Sequence, residues 1–98
     1  MGYIFSQPIT DVTNNITVDG GIVVPSGYVS AISFRSGAGA PTQIISVGST
    51  PGNNDIIDSI EVLANVTKDS IINKTFDDPT QIYYTGITTP TTIKLHRI

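Results

Sequence analysis

The feature that most constrains the fold of this chain is the regular alternation of short apolar runs with turn-forming residues. Clusters of Gly, Pro, Asn, Asp and Ser interrupt the sequence roughly every 8–12 residues, a spacing that is typical of all-β sandwiches and barrels. The runs between them are rich in Ile, Val, Thr and Tyr, which favour strands. At 98 residues the chain has the size of one domain. The sequence therefore predicts a single domain over 1–98, an all-β, two-sheet β-sandwich with jelly-roll-like connections.

The apolar runs define eight or nine short predicted strands. The clearest is 28–35, where strict alternation would place Val29, Ala31 and Ser33 on one face of a sheet. Asp19-Gly20-Gly21 has the residues of a tight hairpin turn, because glycine and aspartate tolerate the backbone conformations that such turns need. The predicted strands cover 3–6, 15–18, 22–24, 28–35, 42–47, 55–66, 70–76, 81–85 and 91–98.

One segment, 55–66, is compatible with either a helix or a strand. Apolar residues at 56, 57, 60, 63 and 64 have helical spacing, whereas those at 60, 62, 64 and 66 alternate as in a strand. Its high content of β-branched residues, whose side chains are stiff at χ1, favours the strand.

Side chains that commonly carry catalysis are sparse. The chain has no cysteine, which excludes disulfides and thiolate metal sites, and its single histidine is His96. Alternation places His96 with Lys94 and Ile98 on the solvent face of the last strand, and neither an acid nor a nucleophile lies near it in sequence, although the fold could bring them together. We therefore predict no catalytic residue, no cofactor and no enzymatic activity.

The carboxylates also lack the pattern of a metal site. Asp55, Asp58 and Glu61 recur at every third residue, and Asp19 and the Asp77-Asp78 pair lie in predicted turns. None of these groups has the spacing of a calcium loop. Aspartate favours turns through hydrogen bonds to its own backbone, so turn formation explains the clusters and no metal is predicted.

The charge balance limits the partners. The formal net charge is −3, and the five basic residues are dispersed along the sequence, whereas a nucleic-acid-binding protein is expected to gather them on one face. We therefore predict no direct nucleic-acid partner. No apolar stretch approaches the ~18 residues of a membrane span, so we predict no membrane partner either.

The tyrosines are the best candidates for a binding surface. Tyr83 and Tyr84 are adjacent, so a strand would direct one ring to the core and the other to the surface. An exposed tyrosine can stack on a sugar or anchor a protein contact. This observation supports the alternative interpretation of the chain, a carbohydrate-binding or adhesin module.

Two stretches resemble the small β-sandwich virion structural proteins of tailed bacteriophages, of the capsid decoration (cement) or head-fibre type. Residues 22–32, with the sequence Ile-Val-Val-Pro-Ser-Gly-Tyr-Val-Ser-Ala-Ile, are similar to their opening hairpin. Residues 74–76, 78–86, 93–95 and the terminal 97–98 are similar to their C-terminal end. The resemblance implies a jelly roll or similar sandwich, a symmetric homo-oligomer with a trimer favoured, and binding to the major capsid or other virion proteins. It also implies location in a virion assembled in the host cytoplasm, and no catalytic residue.

Overall fold

A computed structural model of the protein describes residues 9–98, which form eight antiparallel strands and no helix. The strand predicted at 3–6 lies outside the described residues. The strands are β1 (Ile9–Ile16), β2 (Gly20–Val24), β3 (Gly27–Ser36), β4 (Gln43–Gly48), β5 (Ile57–Val62), β6 (Lys68–Phe76), β7 (Thr80–Thr85) and β8 (Thr91–Arg97).

The strands form two four-stranded sheets that pack face to face. Sheet I has the order β1-β8-β3-β6, and sheet II has the order β2-β7-β4-β5. Strands pair in the combinations 1–8, 2–7, 3–6 and 4–5, and these pairs alternate between the two sheets. A long antiparallel hairpin that is rolled up in this way is the eight-stranded jelly roll. The predicted all-β, two-sheet β-sandwich with jelly-roll-like connections is confirmed.

The core lies between the sheets and consists mainly of aliphatic side chains. Phe34, at the centre of sheet I, is the largest fully buried side chain. The ambiguous segment contributes Ile57, Ile60 and Val62 to this core from β5, which confirms the strand and excludes the helix.

The hairpin predicted at 19–21 is wrong. The first strand in this region ends at Ile16 rather than at 18, and β2 begins at Gly20 in the other sheet, so the chain crosses between sheets here. Gly21 is a strand residue: a Cβ at this position would lie 2.9 Å from the carbonyl oxygen of Ile82 in β7. The glycine therefore allows two backbones to approach closely, which is the other common use of this residue in a strand.

The predicted alternation in β3 is wrong at its beginning. Against β6 the register shifts because β6 has an extra residue between Ile71 and Lys74. Against β8 it is β3 that has an extra residue between Val29 and Ala31, which marks a β-bulge at Ser30. The extra residue turns Val29 into the core with Ile32 and Phe34. As a result, Ala31 and Ser33 lie on the outer face of sheet I, opposite to Val29.

Three asparagines occupy left-handed backbone conformations. Asn15, Asn65 and Asn73 have φ values of 62°, 56° and 45°, and each is the first residue of an N-x-[ST] sequence. Asparagine tolerates this region better than other non-glycine residues, because its short polar side chain forms local hydrogen bonds. The left-handed backbone conformation therefore accounts for the presence of asparagine at these three positions.

A buried glutamine joins the two sheets. Gln43 in β4 is 2% exposed, and its Nε2 donates a 2.9 Å hydrogen bond to the hydroxyl of Thr91, the first residue of β8. Its Oε1 accepts hydrogen bonds from the backbone N–H groups of Thr88 at 2.8 Å and Thr89 at 3.4 Å. One side chain thus holds the β7–β8 connection against sheet II.

Replacing Gln43 by leucine is expected to lower the free energy of unfolding by about 1–3 kcal/mol, because it leaves polar groups at this site without partners. Chemical denaturation followed by circular dichroism measures this change. Gln81→Leu is the matched control, since Gln81 is exposed on the same sheet and should change the free energy by less than about 0.5 kcal/mol. Equal effects in the two variants would contradict the prediction.

Candidate functional site

The outer face of sheet I contains a groove, here called the central groove. Its floor is formed by Ala31 and Ser33 in β3, two small residues that are buried although they point away from the core. Register pairing places Lys94 beside Ser33 on the β8 side and Asp69 beside Ser33 on the β6 side. His96 lies next to Ala31 in the same way. Long side chains on both sides of a small-residue strand thus form a depression of about 470 Å³.

Three side chains that are remote in sequence meet in this groove. The Ser33 hydroxyl donates a hydrogen bond to Oδ1 of Asp69, and its oxygen lies 2.7 Å from Nε2 of His96. Nδ1 of His96 is 3.4 Å from the hydroxyl of Thr10. His96 was expected on the solvent face, and it does lie on the outer side of the sheet. The contact of His96 with Ser33, and that of Ser33 with Asp69, were missed, because strand order was needed to find them.

The direction of these hydrogen bonds determines what the cluster can do. The Ser33 hydroxyl has one proton, which it donates to Asp69, so the contact with His96 requires Nε2–H of His96 to donate to Ser33. A catalytic base would instead accept the proton of the serine, and the acid would orient the histidine. Among residues 9–98, no hydrogen bond joins Asp69 to His96. The arrangement therefore binds side chains together across three strands but does not activate Ser33 as a nucleophile.

Access to Ser33 is also closed. The residue is 2% exposed, and the neighbouring side chains cover its hydroxyl. We therefore expect no covalent labelling of the protein by a fluorophosphonate, a reagent that modifies activated serines. Intact-mass spectrometry after prolonged incubation measures the labelling. A stoichiometric adduct that is absent in Ser33→Ala would contradict this prediction and would assign the cluster a catalytic role.

Exposed apolar side chains surround the central groove. Ile9, Ile71 and Ile98 line it and are 45%, 69% and 54% exposed, and Val12 beside Lys94 is 50% exposed. Single exposed apolar residues are common on protein surfaces, but an exposed patch of several marks a surface of interaction. This face therefore combines apolar contact area with a hydrogen-bonded polar centre.

The two candidate tyrosines lie on opposite faces of β7. Tyr84 points into the core and is 7% exposed, and Gly20 leaves the space that its hydroxyl occupies. Burial raises the pKa of Tyr84 above its ordinary value, and the negative charge of Asp19 raises it further. Tyr83 is half-buried on the outer face of sheet II, where its ring lies across Gly21. Only Tyr83 is therefore positioned to contact a ligand or a partner.

The outer face of sheet II also has exposed apolar residues. Val23 in β2 is 61% exposed, and Ile44 in β4 is 53% exposed. Ile44 pairs with Glu61 of β5, so a carboxylate lies next to it on this face. Tyr83 is less exposed than Val23 and Ile44, because its ring packs against Gly21.

The carboxylates around 55–61 serve the local structure. Asp55 accepts hydrogen bonds from the backbone N–H of Ser49 at 2.8 Å and from its hydroxyl at 2.7 Å, and these bonds lower the pKa of Asp55. Asp58 accepts a hydrogen bond from the side-chain amide of Asn54 at 2.5 Å. In the part of the chain that the structure describes, no group of three or more His, Cys, Asp or Glu residues could hold a metal ion.

A second depression, of about 620 Å³, lies between the edges of the two sheets. Phe76 and other apolar residues contribute to its wall, and Asp77, Asp78 and Lys74 lie around it. The Nζ atom of Lys74 stands 5.7 Å from the centre of the Phe76 ring, a distance at which the cation and the ring attract each other. Asp19, the remaining turn carboxylate, accepts a 2.9 Å hydrogen bond from the backbone N–H of Ile87 and so fixes the turn after β7.

The fold gathers the basic residues on one sheet, although they are dispersed in sequence. All five lie in strands of sheet I, together with two acidic residues, Asp11 and Asp69, which leaves that sheet a net charge of +3. The strands of sheet II carry only Asp58 and Glu61. The strands of the two sheets therefore carry net charges of opposite sign, positive in sheet I and negative in sheet II. The basic residues are Arg35, Lys68, Lys74, Lys94 and Arg97.

Comparison of the chain with protein-family models, with curated proteins and with solved structures finds no match. Within residues 9–98 there is no helix that is long and apolar enough to cross a membrane.

Proposed function

We propose that this protein is a non-enzymatic virion structural protein, which decorates or cements a phage capsid or forms part of a fibre. The observation that carries the proposal is the pair of outer sheet faces, each with exposed apolar side chains. The eight-stranded jelly roll adds support, because this fold is frequent in viral capsid domains. The sequence resemblance of 22–32 and of the C-terminal stretches supports the tailed-phage assignment.

The partners follow from this role. The protein associates with copies of itself, for which the resemblance favours a trimer, and with the major capsid or other virion proteins in a particle assembled in the host cytoplasm. Nucleic acid is not a direct partner, even though the basic residues share a sheet. Arg97 forms an ion pair with Asp11 at 2.5 Å, and Lys94 shares its face with Asp69, so few positive charges remain for phosphates.

The alternative is a carbohydrate-binding or adhesin module, because the jelly roll is also a lectin fold. Tyr83 favours it, since a half-exposed ring beside glycine can stack on a sugar. Tyr84 does not contribute, because its ring is in the core. Affinity would then depend on one aromatic side chain, whereas a structural role would distribute the contacts over an interface of roughly 800 Å² per partner.

The decisive experiment mixes the purified protein with phage particles that lack it and, separately, with a glycan array. Binding at regular lattice positions in electron micrographs, with increased resistance of the particles to heat, supports the structural role. Saturable glycan binding that is lost in Tyr83→Ala and retained in Val23→Ala, without binding to particles, contradicts it and supports the alternative. Val23→Ala is the matched control, because it truncates an exposed apolar side chain on the same face.

A further inference from the structure

The two outer faces of the sandwich carry opposite charge. Lys94 and Arg35 lie on the outer face of sheet I with one carboxylate, Asp69. Asp58 and Glu61 are the charged residues of the sheet II strands, and both are exposed. With Asp69 counted against Lys94 and Arg35, the face of sheet I has a net charge of +1, whereas Asp58 and Glu61 give the strands of sheet II a net charge of −2. Contact between unlike faces is therefore the arrangement in which the net charges attract.

Both outer faces also offer apolar contact area. The central groove of sheet I has a floor of small residues and an apolar border that includes Ile71. The outer face of sheet II carries the exposed side chains of Val23 and Ile44 and the half-buried ring of Tyr83. Contact between the two faces would remove these apolar side chains from water.

We propose that the outer face of sheet I in one copy binds the outer face of sheet II in the next copy, so that the apolar side chains of both faces are buried in the contact. The proposal rests on the structural role proposed above. It names a second copy of this chain as the partner, and it names the two surfaces through which the copies bind.

The geometry of such a contact determines the kind of assembly. A contact between two different surfaces closes into a ring only if the rotation between copies allows it, and otherwise continues as an open assembly. The outer faces of a two-sheet sandwich point in opposite directions, so repetition of the contact produces a linear stack. This contact therefore suits a fibre and does not by itself produce the trimer that the resemblance implies.

The test uses charge reversal on each face and sedimentation velocity at micromolar to millimolar concentrations. Wild-type protein is expected to form species larger than two chains as concentration rises, and to dissociate as salt is raised. Lys94→Glu disables the face of sheet I, and Glu61→Lys disables the face of sheet II. Each is expected to raise the dissociation constant about tenfold or more. Asp78→Lys, in a turn away from both faces, is the control and should associate like wild type.

A mixture of Lys94→Glu and Glu61→Lys gives the sharpest result. The unaltered sheet II face of the first variant and the unaltered sheet I face of the second form one wild-type contact, and the two altered faces carry exchanged charges that again attract each other. The expected product is an assembly that contains both variants and is larger than the species that either variant forms alone. Its formation also shows that both variants are folded.

The proposal is overturned if the wild-type protein remains a single chain, if both single variants associate like wild type, or if their mixture associates no more strongly than either variant alone. These outcomes are distinguishable from failure of the proposed function. Particle binding by a protein that does not stack refutes the stacking contact alone, and stacking by a protein that does not bind particles refutes the virion role alone.

Discussion

Replacing Phe34 by alanine is expected to lower the free energy of unfolding by about 3–5 kcal/mol, the usual range for deletion of a buried aromatic side chain. Phe34 is 0% exposed and lies in β3, which is paired on both sides by β6 and β8. Truncation would therefore leave a cavity between the sheets at a position where the backbone cannot easily collapse. For a domain whose total stability is on the order of 5–15 kcal/mol, this loss is a large fraction.

Denaturant titration of Phe34→Ala and Phe34→Leu measures the effect. Leucine keeps most of the apolar volume, so the loss should be clearly smaller than with alanine. A loss below about 1 kcal/mol in Phe34→Ala, with an unchanged denaturant dependence, would mean that β3 does not pack at the centre of the core. That result would contradict the orientation of β3 in sheet I, in which Phe34 faces the core and Ser33 faces the central groove.

Replacing Gly86 by alanine is expected to lower the free energy of unfolding by about 2–5 kcal/mol, for two separate reasons. Gly86 has a φ of +94°, which strains any L-residue. In addition, a Cβ at this position would overlap the backbone carbonyl oxygen of Ile44 in β4, which cannot move without disturbing the strand.

Gly52→Ala is the matched control for Gly86→Ala. Gly52 has a similar φ of +81°, but no atom lies within 4 Å of its Cβ position, so only the backbone strain is expected, about 1–3 kcal/mol. The difference between the two variants in denaturant titrations therefore measures the overlap with Ile44. Equal losses would show that the β7–β8 connection does not approach β4 as closely as the structure indicates.

Most of the strands could be predicted from local sequence, but not β1 (Ile9–Ile16), which the strand predicted at 15–18 overlaps at only two residues. β3, β4, β7 and β8 lie within a few residues of their predicted bounds, because β-branched runs and the turn residues between them act through neighbouring residues. The error at 19–21 has a physical cause as well. Glycine permits both a tight turn and a close approach of two backbones, and only the position of β7 against Gly21 distinguishes the two.

The candidate site could be predicted only in part. Alternation correctly placed Tyr83 and Tyr84 on opposite faces, but which ring entered the core depended on the orientation of β7 within sheet II. The bulge at Ser30 could not be read from the sequence either, because a strand with one extra residue has the same composition as a regular strand.

What the sequence by itself determined is the β class, the turns and the alternation within each strand, because these follow from backbone geometry over a few residues. What only the tertiary structure decided is which strands are neighbours. Ser33 meets Asp69 and His96 across separations of 36 and 63 residues, and five dispersed basic residues come to share one sheet. The physical reason is that strand order depends on the packing of two whole sheets against each other, and no short segment contains that information.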